Sequence, residues 1–348
     1  MTTLLAGDIG GTKTVLAICE LLGAEASPIP GGELRVVREA QFPSASHASL
    51  EAILDQFLPA AVAAGELQPG GVAAACFGVA GPVEGGAAKI TNLPWTIEAR
   101  ALSARLGGAP VTLLNDLQTT ALGALALPAA AFTPLQEPAA PLAPGATVAV
   151  IAPGTGLGQS ILLSDGVRYR ALPTEAGHAD FAPGTDEEIE LFRFLRGRYG
   201  DHVSVERVLS GDGIGDLYDF VRAARGATEP EPPALGQGDR NAAISRAALD
   251  GSAPDAAHAL ALFAAILGAE AGNLALRSLA TGGVVIGGGI PPKILPLLQT
   301  GALIDRFNAK GRFARWTRTL AVRVMLEPRA ALLGAANHAR HEVSYVRR

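Results

Sequence analysis

A glycine turn between two apolar runs constrains the fold of this chain more than any other stretch. The turn is Gly7-Asp8-Ile9-Gly10-Gly11-Thr12-Lys13-Thr14, and it lies between Leu4–Ala6 and Val15–Cys19. Two adjacent glycines favour a tight hairpin, because glycine adopts positive φ angles without steric cost and a two-residue loop matches the twist of the strands. The stretch therefore predicts a pair of antiparallel strands.

The same turn is suited to binding a polyphosphate. Backbone N–H groups of a glycine turn can approach phosphate oxygens closely, and the hydroxyls of Thr12 and Thr14 can add donors. Asp8 can hold a hydrated magnesium ion. An ordinary hairpin preceded by an acidic residue explains the pattern equally well, since short motifs often match by chance. The turn alone leaves both interpretations open.

The composition indicates a soluble globular protein of about two domains. The chain has 348 residues, of which 49% are hydrophobic, and a net charge of −5. This charge provides no general basic field, so we expect no nucleic-acid partner. Two cysteines, Cys19 and Cys76, can form neither a disulfide framework nor a four-cysteine zinc site, which favours a reducing, cytoplasmic setting.

No export signal or membrane span is expected. Met1–Asp8 lacks the basic region and the long apolar core of a signal peptide. Pro138–Ser164 carries no charged residue, but its prolines and glycines break any helix that would cross a bilayer.

The first half of the chain predicts a three-stranded antiparallel meander, followed by alternating helices and strands. The meander comprises Leu4–Ile9, Thr14–Leu21 and Glu33–Phe42. The elements expected after it are a helix at Ser49–Ala64, a strand at Gly71–Ala80, a short strand at Ala88–Thr91, a helix at Thr96–Leu106 and a strand at Val111–Leu114.

The opening pattern returns after Pro128–Gly145, which we expect to be a loop because it is rich in alanine and proline. The repeat consists of a strand at Ala146–Ala152, the turn Gly154-Thr155-Gly156-Leu157-Gly158, and strands at Ser160–Leu163 and Val167–Leu172. It predicts two related α/β domains whose phosphate-binding turns face each other across a cleft.

The remainder is predicted to be mostly helical, with a third glycine turn. The expected elements are helices at Glu187–Tyr199, Gly211–Arg225 and Asp255–Leu279, a polar loop at Glu229–Gly238, a strand at Gly283–Ile286, the turn Gly287-Gly288-Gly289, and a helix opened by Pro291. A strand, a glycine turn and a helix in succession admit a base or ribose against the backbone. Three such turns in one chain favour a nucleotide site.

The three turns resemble the phosphate-1, phosphate-2 and adenosine segments of actin-like sugar kinases. The chain is most similar to the bacterial glucokinase family, from the first strand to about Arg340, and the stretches Gly272–Leu276, Gly282-Gly283 and Lys310–Phe313 support this. The resemblance implies an α/β fold of two actin-like (ribonuclease H-like) domains with a nucleotide and sugar cleft between them. It implies a small domain at 1–126, a large domain at 127–327, and a C-terminal helix at 328–348 that packs back on the small domain.

The resemblance also implies ATP and Mg²⁺ as cofactors, with Asp8 as the metal-binding residue. The implied ATP-binding residues all lie in the three turns and are Gly7, Asp8, Ile9, Gly10, Gly11, Thr12, Thr14, Gly154, Thr155, Gly156, Gly158, Gly287, Gly288 and Gly289.

Asn115-Asp116 follows an apolar strand, where short polar side chains can project into a site. Both residue types also strongly prefer helix N-caps, so the residues alone favour a cap before a helix at Leu117–Leu127. The resemblance favours a catalytic role. It implies that Asp116 is the base that activates the 6-hydroxyl of the sugar, and that Asn115 binds sugar hydroxyls.

Glu175 and His178 are three residues apart, so both can address one ligand, and carboxylate and imidazole groups pair well with vicinal hydroxyls. A local salt bridge between them is the alternative, and Glu206-Arg207 alone is typical of a solvated charge pair. By resemblance, Glu175 and His178 are sugar-binding residues and Glu206 binds the anomeric hydroxyl. Ala176 replaces a glycine that is frequent in the family.

Two features of the related repressor and sugar-kinase family are not expected here. That family places a cysteine-rich zinc motif after the histidine equivalent to His178, whereas this chain has no cysteine after Cys76. Its repressors carry a helix-turn-helix before the first turn, whereas only six residues precede Gly7. Lys13, where glucokinases often have asparagine, and Asp212 have no assigned role.

Together these features predict a cytoplasmic, ATP-dependent glucokinase that converts D-glucose to glucose 6-phosphate, the first step of glycolysis. A homodimer is expected from the family alone. The alternatives are a kinase for another hexose, such as mannose or fructose, and a non-catalytic sugar-sensing regulator on the same fold. Asp116 argues against the regulator, because a sensor needs no base.

Overall fold

The chain divides by its internal contacts into two units. The computed structural model describes residues 2–22, 33–90, 93–232, 235 and 238–346. Unit 1 comprises Met1–Pro128, Asp165–Pro173 and Glu327–Arg348, and unit 2 comprises Ala129–Ser164 and Thr174–Leu326. Asp165–Pro173 thus belongs to unit 1, although it lies within the range 127–327 expected for the large domain.

The strands, in chain order, are β1 Thr2–Ile9, β2 Lys13–Leu22, β3 Glu33–Pro43, β4 Val72–Val79, β5 Val83–Glu84, β6 Ala87–Lys89, β7 Thr96–Glu98, β8 Val111–Asn115, β9 Phe132–Gln136, β10 Val148–Pro153, β11 Leu157–Ser164, β12 Tyr169–Thr174, β13 Val284–Ile286 and β14 Val322–Met325. The α-helices are α1 Leu50–Ala63, α2 Ala99–Arg105, α3 Asp116–Ala126, α4 Asp186–Tyr199, α5 Gly211–Ala224, α6 Arg240–Leu249, α7 Pro254–Ser278, α8 Leu295–Leu298, α9 Ala302–Asn308, α10 Ala314–Thr317 and α11 Ala330–Val346.

The main sheet of unit 1 has the order β3-β2-β1-β4-β8. Strands β1, β2 and β3 pair antiparallel, so the predicted meander is confirmed. Strands β4 and β8 join in parallel with β1, which places the carboxyl ends of β1, β4 and β8 at the same edge. That edge is where open α/β sheets commonly bind ligands.

Helices cover both faces of this sheet. Because successive side chains of a strand point to opposite faces, Leu5 and Ile9 pack into the cluster around Phe57 of α1. Leu4 and Ala6 pack on the other face into the cluster that includes Leu332 of α11. Each fully buried leucine or isoleucine of this kind contributes about 1.5–3 kcal/mol.

Unit 2 repeats the opening arrangement of unit 1. Its strands have the order β11-β10-β13-β14-β9. Strands β10 and β11 form an antiparallel hairpin, and β13 pairs in parallel with β10, as β4 does with β1. The predicted repeat of hairpin and glycine turn is therefore confirmed, and so is the α/β class.

Helix α7 is the central helix of unit 2. Its length and apolar composition alone would suit a membrane span, but 72% of its most apolar 18-residue window is buried inside the protein. A Cβ atom on Gly268 would collide with the carbonyl group of Leu303, so the glycine lets α9 pack directly on the backbone of α7. Helix α7 is accordingly a core helix.

The expectation of a loop over Pro128–Gly145 is wrong. Residues 132–136 form β9, which pairs antiparallel with β14 at the edge of the sheet. Pro134 obscures the strand in the sequence, because proline cannot donate to a ladder and is tolerated mainly on edge strands.

Smaller differences concern element boundaries. The expected helix at Thr96–Leu106 starts only at Ala99, since 96–98 form β7 and pair with β6. Helix α6 was not predicted; it starts after Asp239, whose side chain accepts hydrogen bonds from the N–H groups of Asn241 and Ala242. Pro291 opens a short 3₁₀ helix that precedes α8. The loop expected at Glu229–Gly238 lies partly outside the described residues.

Candidate active site

The first glycine turn connects β1 to β2 and presents backbone donors. The Gly10 N–H donates to the carbonyl oxygen of Lys13 over 2.9 Å, which closes the turn. The N–H groups of Gly11 and Thr12 have no acceptor among the residues that the structure describes. These two N–H groups are therefore available to an anion.

Ser44, which the sequence analysis missed, holds this turn from behind. Its N–H donates to the Thr12 carbonyl oxygen over 3.0 Å, and its hydroxyl donates to the Gly10 carbonyl oxygen over 2.7 Å. Thr14 Oγ1 lies 3.0 Å from Ser44 Oγ, and both side chains are fully buried. The Thr14 hydroxyl is therefore hydrogen-bonded to Ser44 behind the turn, and its predicted contact with a phosphate stays a prediction.

Asp8 is the last polar side chain of β1 before the turn. Burial raises its pKa to about 6, with a further increase from the negative charge of Asp116 and a decrease from Lys13. Across the sheet, Asp8 is paired with Gly78, and the neighbouring Val79 is paired with Asn115. The parallel strands thus bring Asp8 and Asp116 to the same edge of unit 1.

Asn115 is the N-cap of α3, as its residue type favours. Its Oδ1 accepts from the Leu117 N–H over 2.9 Å, while Gln118 Oε1 accepts from the Asn115 N–H over 3.0 Å. Its side-chain Nδ2 donates to the Gly81 carbonyl oxygen over 3.2 Å. The cap interpretation is therefore confirmed for Asn115, and it fixes the orientation of the amide.

Asp116 is the first residue of α3. Its Oδ1 accepts from the Leu117 N–H over 2.8 Å, and the hydroxyls of Thr119 and Thr120 donate to its carbonyl oxygen over 2.8 and 2.9 Å. These bonds fix its backbone, and the helix N-terminus favours its negative charge. With its backbone held rigidly, the carboxylate of Asp116 can accept a proton at this sheet edge.

The second glycine turn, between β10 and β11, is held by Glu206. The Leu157 N–H donates to Glu206 Oε2 over 2.8 Å. A Cβ atom on Gly156 would collide with Glu206 Oε2, so any larger residue there would displace this carboxylate. The Gly211 N–H donates to the Gly154 carbonyl oxygen over 2.8 Å, which ties the turn to the start of α5.

Glu175, His178 and Glu206 lie together in unit 2. His178 Nε2 is 3.9 Å from Glu175 Oε2, and His178 Nδ1 is 4.0 Å from Glu206 Oε1. The side chains of Glu175 and His178 are 80% and 62% exposed, whereas that of Glu206 is 29% exposed. Two accessible polar groups beside one anchored carboxylate can hydrogen-bond to a polyhydroxyl ligand.

Backbone contacts hold this group in place. A Cβ atom on Gly177 would collide with the Leu157 carbonyl oxygen, so the segment sits against the start of β11. His202, also missed by the sequence analysis, places Nε2 3.0 Å from the His178 carbonyl oxygen and Nδ1 3.1 Å from Asp180 Oδ1. Arg207 lies over the Tyr199 ring, 4.2 Å from its centroid, and no ion pair joins it to Glu206 among the described residues.

The third glycine turn lies beside the second. The Gly287 N–H donates to the Ile151 carbonyl oxygen over 2.8 Å. Gly288 has a φ of +87°, and a Cβ atom there would collide with the Pro153 carbonyl oxygen. A Cβ atom on Gly289 would meet nothing within 4 Å. Gly288 is thus required by packing, and Gly289 borders open space.

The donor set suits magnesium better than a buried metal centre. Within the described ranges, no group of three or more His, Cys, Asp or Glu side chains could hold a metal ion. Mg²⁺ usually keeps several waters and is bound through one or two carboxylates plus phosphates of a substrate. Asp8, whose pKa is raised mainly by burial and further by the negative charge of Asp116, fits such a ligand.

Lys13 and Asp212, to which the sequence assigns no role, are both exposed. Lys13 is exposed at the first turn, and its charge lowers the pKa of Asp8. Asp212 is exposed at the start of α5, and its Oδ1 accepts from Asn241 Nδ2 over 3.3 Å.

Comparison with known proteins gives consistent matches over nearly the whole chain. The family model described as Glucokinase matches residues 5–342. A glucokinase of Nostoc sp. is 39% identical over 350 residues, which cover 97% of this chain and 98% of the relative. A glucokinase of Synechocystis sp. is also 39% identical, with 95% and 96% covered.

The fold agrees with that of solved structures. A glucokinase from an Antarctic psychrotroph has a TM-score of 0.83 at 29% identity, covering 98% of this chain and 99% of the other. A ROK family glucokinase from Streptomyces griseus, in complex with glucose and AMPPNP, has a TM-score of 0.60 at 23% identity, with 97% and 99% covered. At this lower identity the likeness shows the fold alone.

Proposed function

Because the chain belongs to the glucokinase family, we propose that it transfers the γ-phosphoryl group of ATP to the 6-hydroxyl of D-glucose, the first step of glycolysis. The predicted resemblance is confirmed, and so is the α/β fold with two actin-like domains. The observation that carries the proposal is the pair Asp8 and Asp116, which the parallel strands of unit 1 place at one sheet edge.

The phosphates of ATP are bound by backbone N–H groups. Unit 1 supplies the N–H groups of Gly11 and Thr12, which have no acceptor among the described residues. Unit 2 supplies the turn Gly154–Gly158 and, for the adenosine, the turn Gly287–Gly289, where Gly289 borders open space. N–H groups of such turns bind phosphate because their dipoles point at the anion.

Asp8 is the residue that would hold Mg²⁺. When bound, the ion neutralises charge that develops on the phosphate oxygens during transfer. Asp8 carries its full charge only above its pKa of about 6. Its role is to present an ionised oxygen at the end of β1.

The sugar is bound by Asn115, Glu175, His178 and Glu206. Nδ2 of Asn115 uses one N–H on the Gly81 carbonyl oxygen, which leaves the second for a sugar hydroxyl. The side chains of Glu175 and His178 are accessible. Glu206 accepts from the Leu157 N–H with Oε2, which leaves Oε1 to accept from a sugar hydroxyl. These groups can donate to and accept from vicinal hydroxyls.

Asp116 accepts the proton of the 6-hydroxyl as the bond to phosphorus forms. Transition states of phosphoryl transfer are loose, so alignment and charge neutralisation supply most of the acceleration. A general base contributes about 10²–10⁴-fold. Asp116 can supply this because its backbone is fixed by the hydroxyls of Thr119 and Thr120.

The proposal includes a cytoplasmic setting, a homodimeric assembly and no nucleic-acid partner.

The relatives are named glucokinase, and this name supports glucose rather than another hexose as the substrate of this chain. The test is ADP formation with ATP and Mg²⁺ and with glucose, mannose or fructose in turn. We expect the highest kcat/KM with glucose. Comparable or higher kcat/KM with another hexose would contradict the substrate, and glucose binding without ADP formation would contradict the activity.

A further inference from the structure

Ser44 donates hydrogen bonds to two carbonyl groups of the first glycine turn. Its hydroxyl donates to the Gly10 carbonyl oxygen over 2.7 Å, and its N–H donates to the Thr12 carbonyl oxygen over 3.0 Å. Ser44 follows β3, and the register of β2 and β3 places the preceding Pro43 opposite Lys13. The residue that follows the third strand therefore holds the turn between the first two.

These bonds determine where the donors of the turn point. The described peptide bonds are trans, and in a planar trans peptide the C=O and N–H groups point in opposite directions. Because Ser44 draws the Gly10 carbonyl oxygen towards itself, the Gly11 N–H in the same peptide must point away from Ser44. In the same way, the bond from the Ser44 N–H to the Thr12 carbonyl oxygen fixes the direction of the Lys13 N–H.

Thr14 fixes Ser44 in turn. The hydroxyl hydrogen of Ser44 is used on Gly10, so the contact of 3.0 Å between Ser44 Oγ and Thr14 Oγ1 requires Thr14 to donate. Both side chains are fully buried. The hydrogen-bond chain therefore runs in one direction, from Thr14 through Ser44 to Gly10, and water does not compete with it.

From this geometry we infer that Ser44 is a positioning residue for nucleotide binding: it aims the Gly11 N–H at the phosphates without touching them. The inference rests on the proposed function, in which this turn binds ATP. Without the Ser44 hydroxyl, the Gly10–Gly11 peptide is free to rotate, and the N–H loses its alignment. The sugar residues of unit 2 make no use of Ser44.

The test compares Ser44→Ala with Ser49→Ala. Ser49 is the N-cap of α1, five positions along, and its Oγ accepts only from the Ala52 N–H in the described chain. Both variants lose a hydroxyl in unit 1, so both can lower the unfolding temperature. We expect Ser44→Ala to lower kcat/KM for ATP by about 10–100-fold, with glucose affinity in the absence of nucleotide within about twofold, and Ser49→Ala to retain both values.

A second variant and a binding measurement complete the test. Thr14→Val keeps the shape of the side chain and removes the donor to Ser44, so we expect a smaller loss in the same direction; it carries the test if Ser44→Ala does not fold. The inference is overturned if Ser44→Ala keeps kcat/KM for ATP within about threefold, or if Ser49→Ala loses as much. It is also overturned if glucose affinity falls as far as nucleotide affinity.

Binding of AMPPNP, measured by calorimetry, separates this inference from the proposed function. If the wild type forms no ADP with glucose, the proposed function fails, but weaker AMPPNP binding by Ser44→Ala still supports the role of Ser44. Equal AMPPNP affinity of wild type and Ser44→Ala, or no AMPPNP binding by either, overturns it.

Discussion

Glu206 and Leu157 are joined by a hydrogen bond in which the Leu157 N–H donates to Glu206 Oε2 over 2.8 Å. The other oxygen, Oε1, is 4.0 Å from His178 Nδ1. One carboxylate therefore contacts both the second glycine turn and a residue proposed to bind sugar. Glu175, by contrast, is 80% exposed, and within the described chain its side chain pairs only with His178.

This contrast predicts different kinetic effects for two glutamates. We expect Glu206→Ala to raise KM for glucose and KM for ATP by about 10-fold or more, because the turn loses its anchor together with a sugar contact. Glu175→Ala should raise KM for glucose alone. Steady-state kinetics with each substrate varied separately measures both. The same pattern in the two variants would contradict the linking role of Glu206.

The pKa of Asp8 predicts a pH dependence of nucleotide binding. Since its pKa is raised to about 6, a proton competes with Mg²⁺ for the carboxylate below that pH. We expect affinity for Mg²⁺ and AMPPNP to fall between about pH 7 and about pH 5. In Asp116→Asn the pKa of Asp8 should be lower, because one negative charge is removed, and the fall should occur at lower pH.

Asp8→Asn is the control for that titration, since it removes the carboxylate and leaves only the pH dependence of the nucleotide itself. Its affinity should be weak throughout, with a flatter profile than the wild type. An unchanged profile in Asp116→Asn would show that the two carboxylates do not interact.

Close packing of α3 and α11 predicts a large effect of one methyl group. A Cβ atom on Gly334 would collide with the carbonyl oxygen of Thr119, which is backbone and cannot move aside. We expect Gly334→Ala to destabilise the protein by about 2–4 kcal/mol. Gly197→Ala, on the exposed side of α4 where a Cβ meets nothing within 4 Å, should be neutral or stabilise by up to about 1 kcal/mol. Urea denaturation followed by circular dichroism compares them, and equal midpoints would refute the packing argument.

Two histidines of α11 predict a loss of stability in acid. Burial lowers the pKa of His338 and of His341 to about 4, with a further decrease from Arg168 in both and an increase from Glu342 for His341. Unfolded histidine binds a proton near pH 6.5, so the unfolded state gains protons first. Each histidine should therefore lower stability by up to about 1.4 kcal/mol per pH unit as pH falls from about 6.5 to about 4.

His338→Gln removes one of these groups and should flatten the pH dependence of the thermal midpoint over that interval. An identical slope in wild type and His338→Gln would contradict the burial of a neutral His338.

Local sequence patterns predicted the turns and caps, because these depend on residues close together in the chain. The strands around Gly10-Gly11 and around Gly154–Gly158 form the expected hairpins, although neither Gly10 nor Gly11 adopts the positive φ from which the first hairpin was predicted. Asn115 forms the cap that its type favours. Glu175 and Glu206 were placed in one group by family resemblance, and the structure brings them to either side of His178.

Contacts set by strand register and by distant segments were not predictable. Ser44 reaches the first turn only because β3 pairs with β2 in one register, and His202 reaches the His178 carbonyl group from 24 positions away. The contact of Thr14 with Ser44 was not predicted, because the burial of Thr14 behind the turn is not visible in the sequence. Strand β9 was missed because Pro134 masks an edge strand whose pairing partner is β14.

Whether Asp116 is the base of a glucose-phosphorylating enzyme is tested by glucose-dependent ADP formation by the wild type and by Asp116→Asn, with glucose binding measured on both proteins. We expect turnover by the wild type, a loss of kcat of about 10²–10⁴-fold in Asp116→Asn, and glucose affinities of the two proteins within about threefold. Retention of more than about a tenth of kcat by Asp116→Asn, or glucose binding by the wild type without ADP formation, would contradict this expectation.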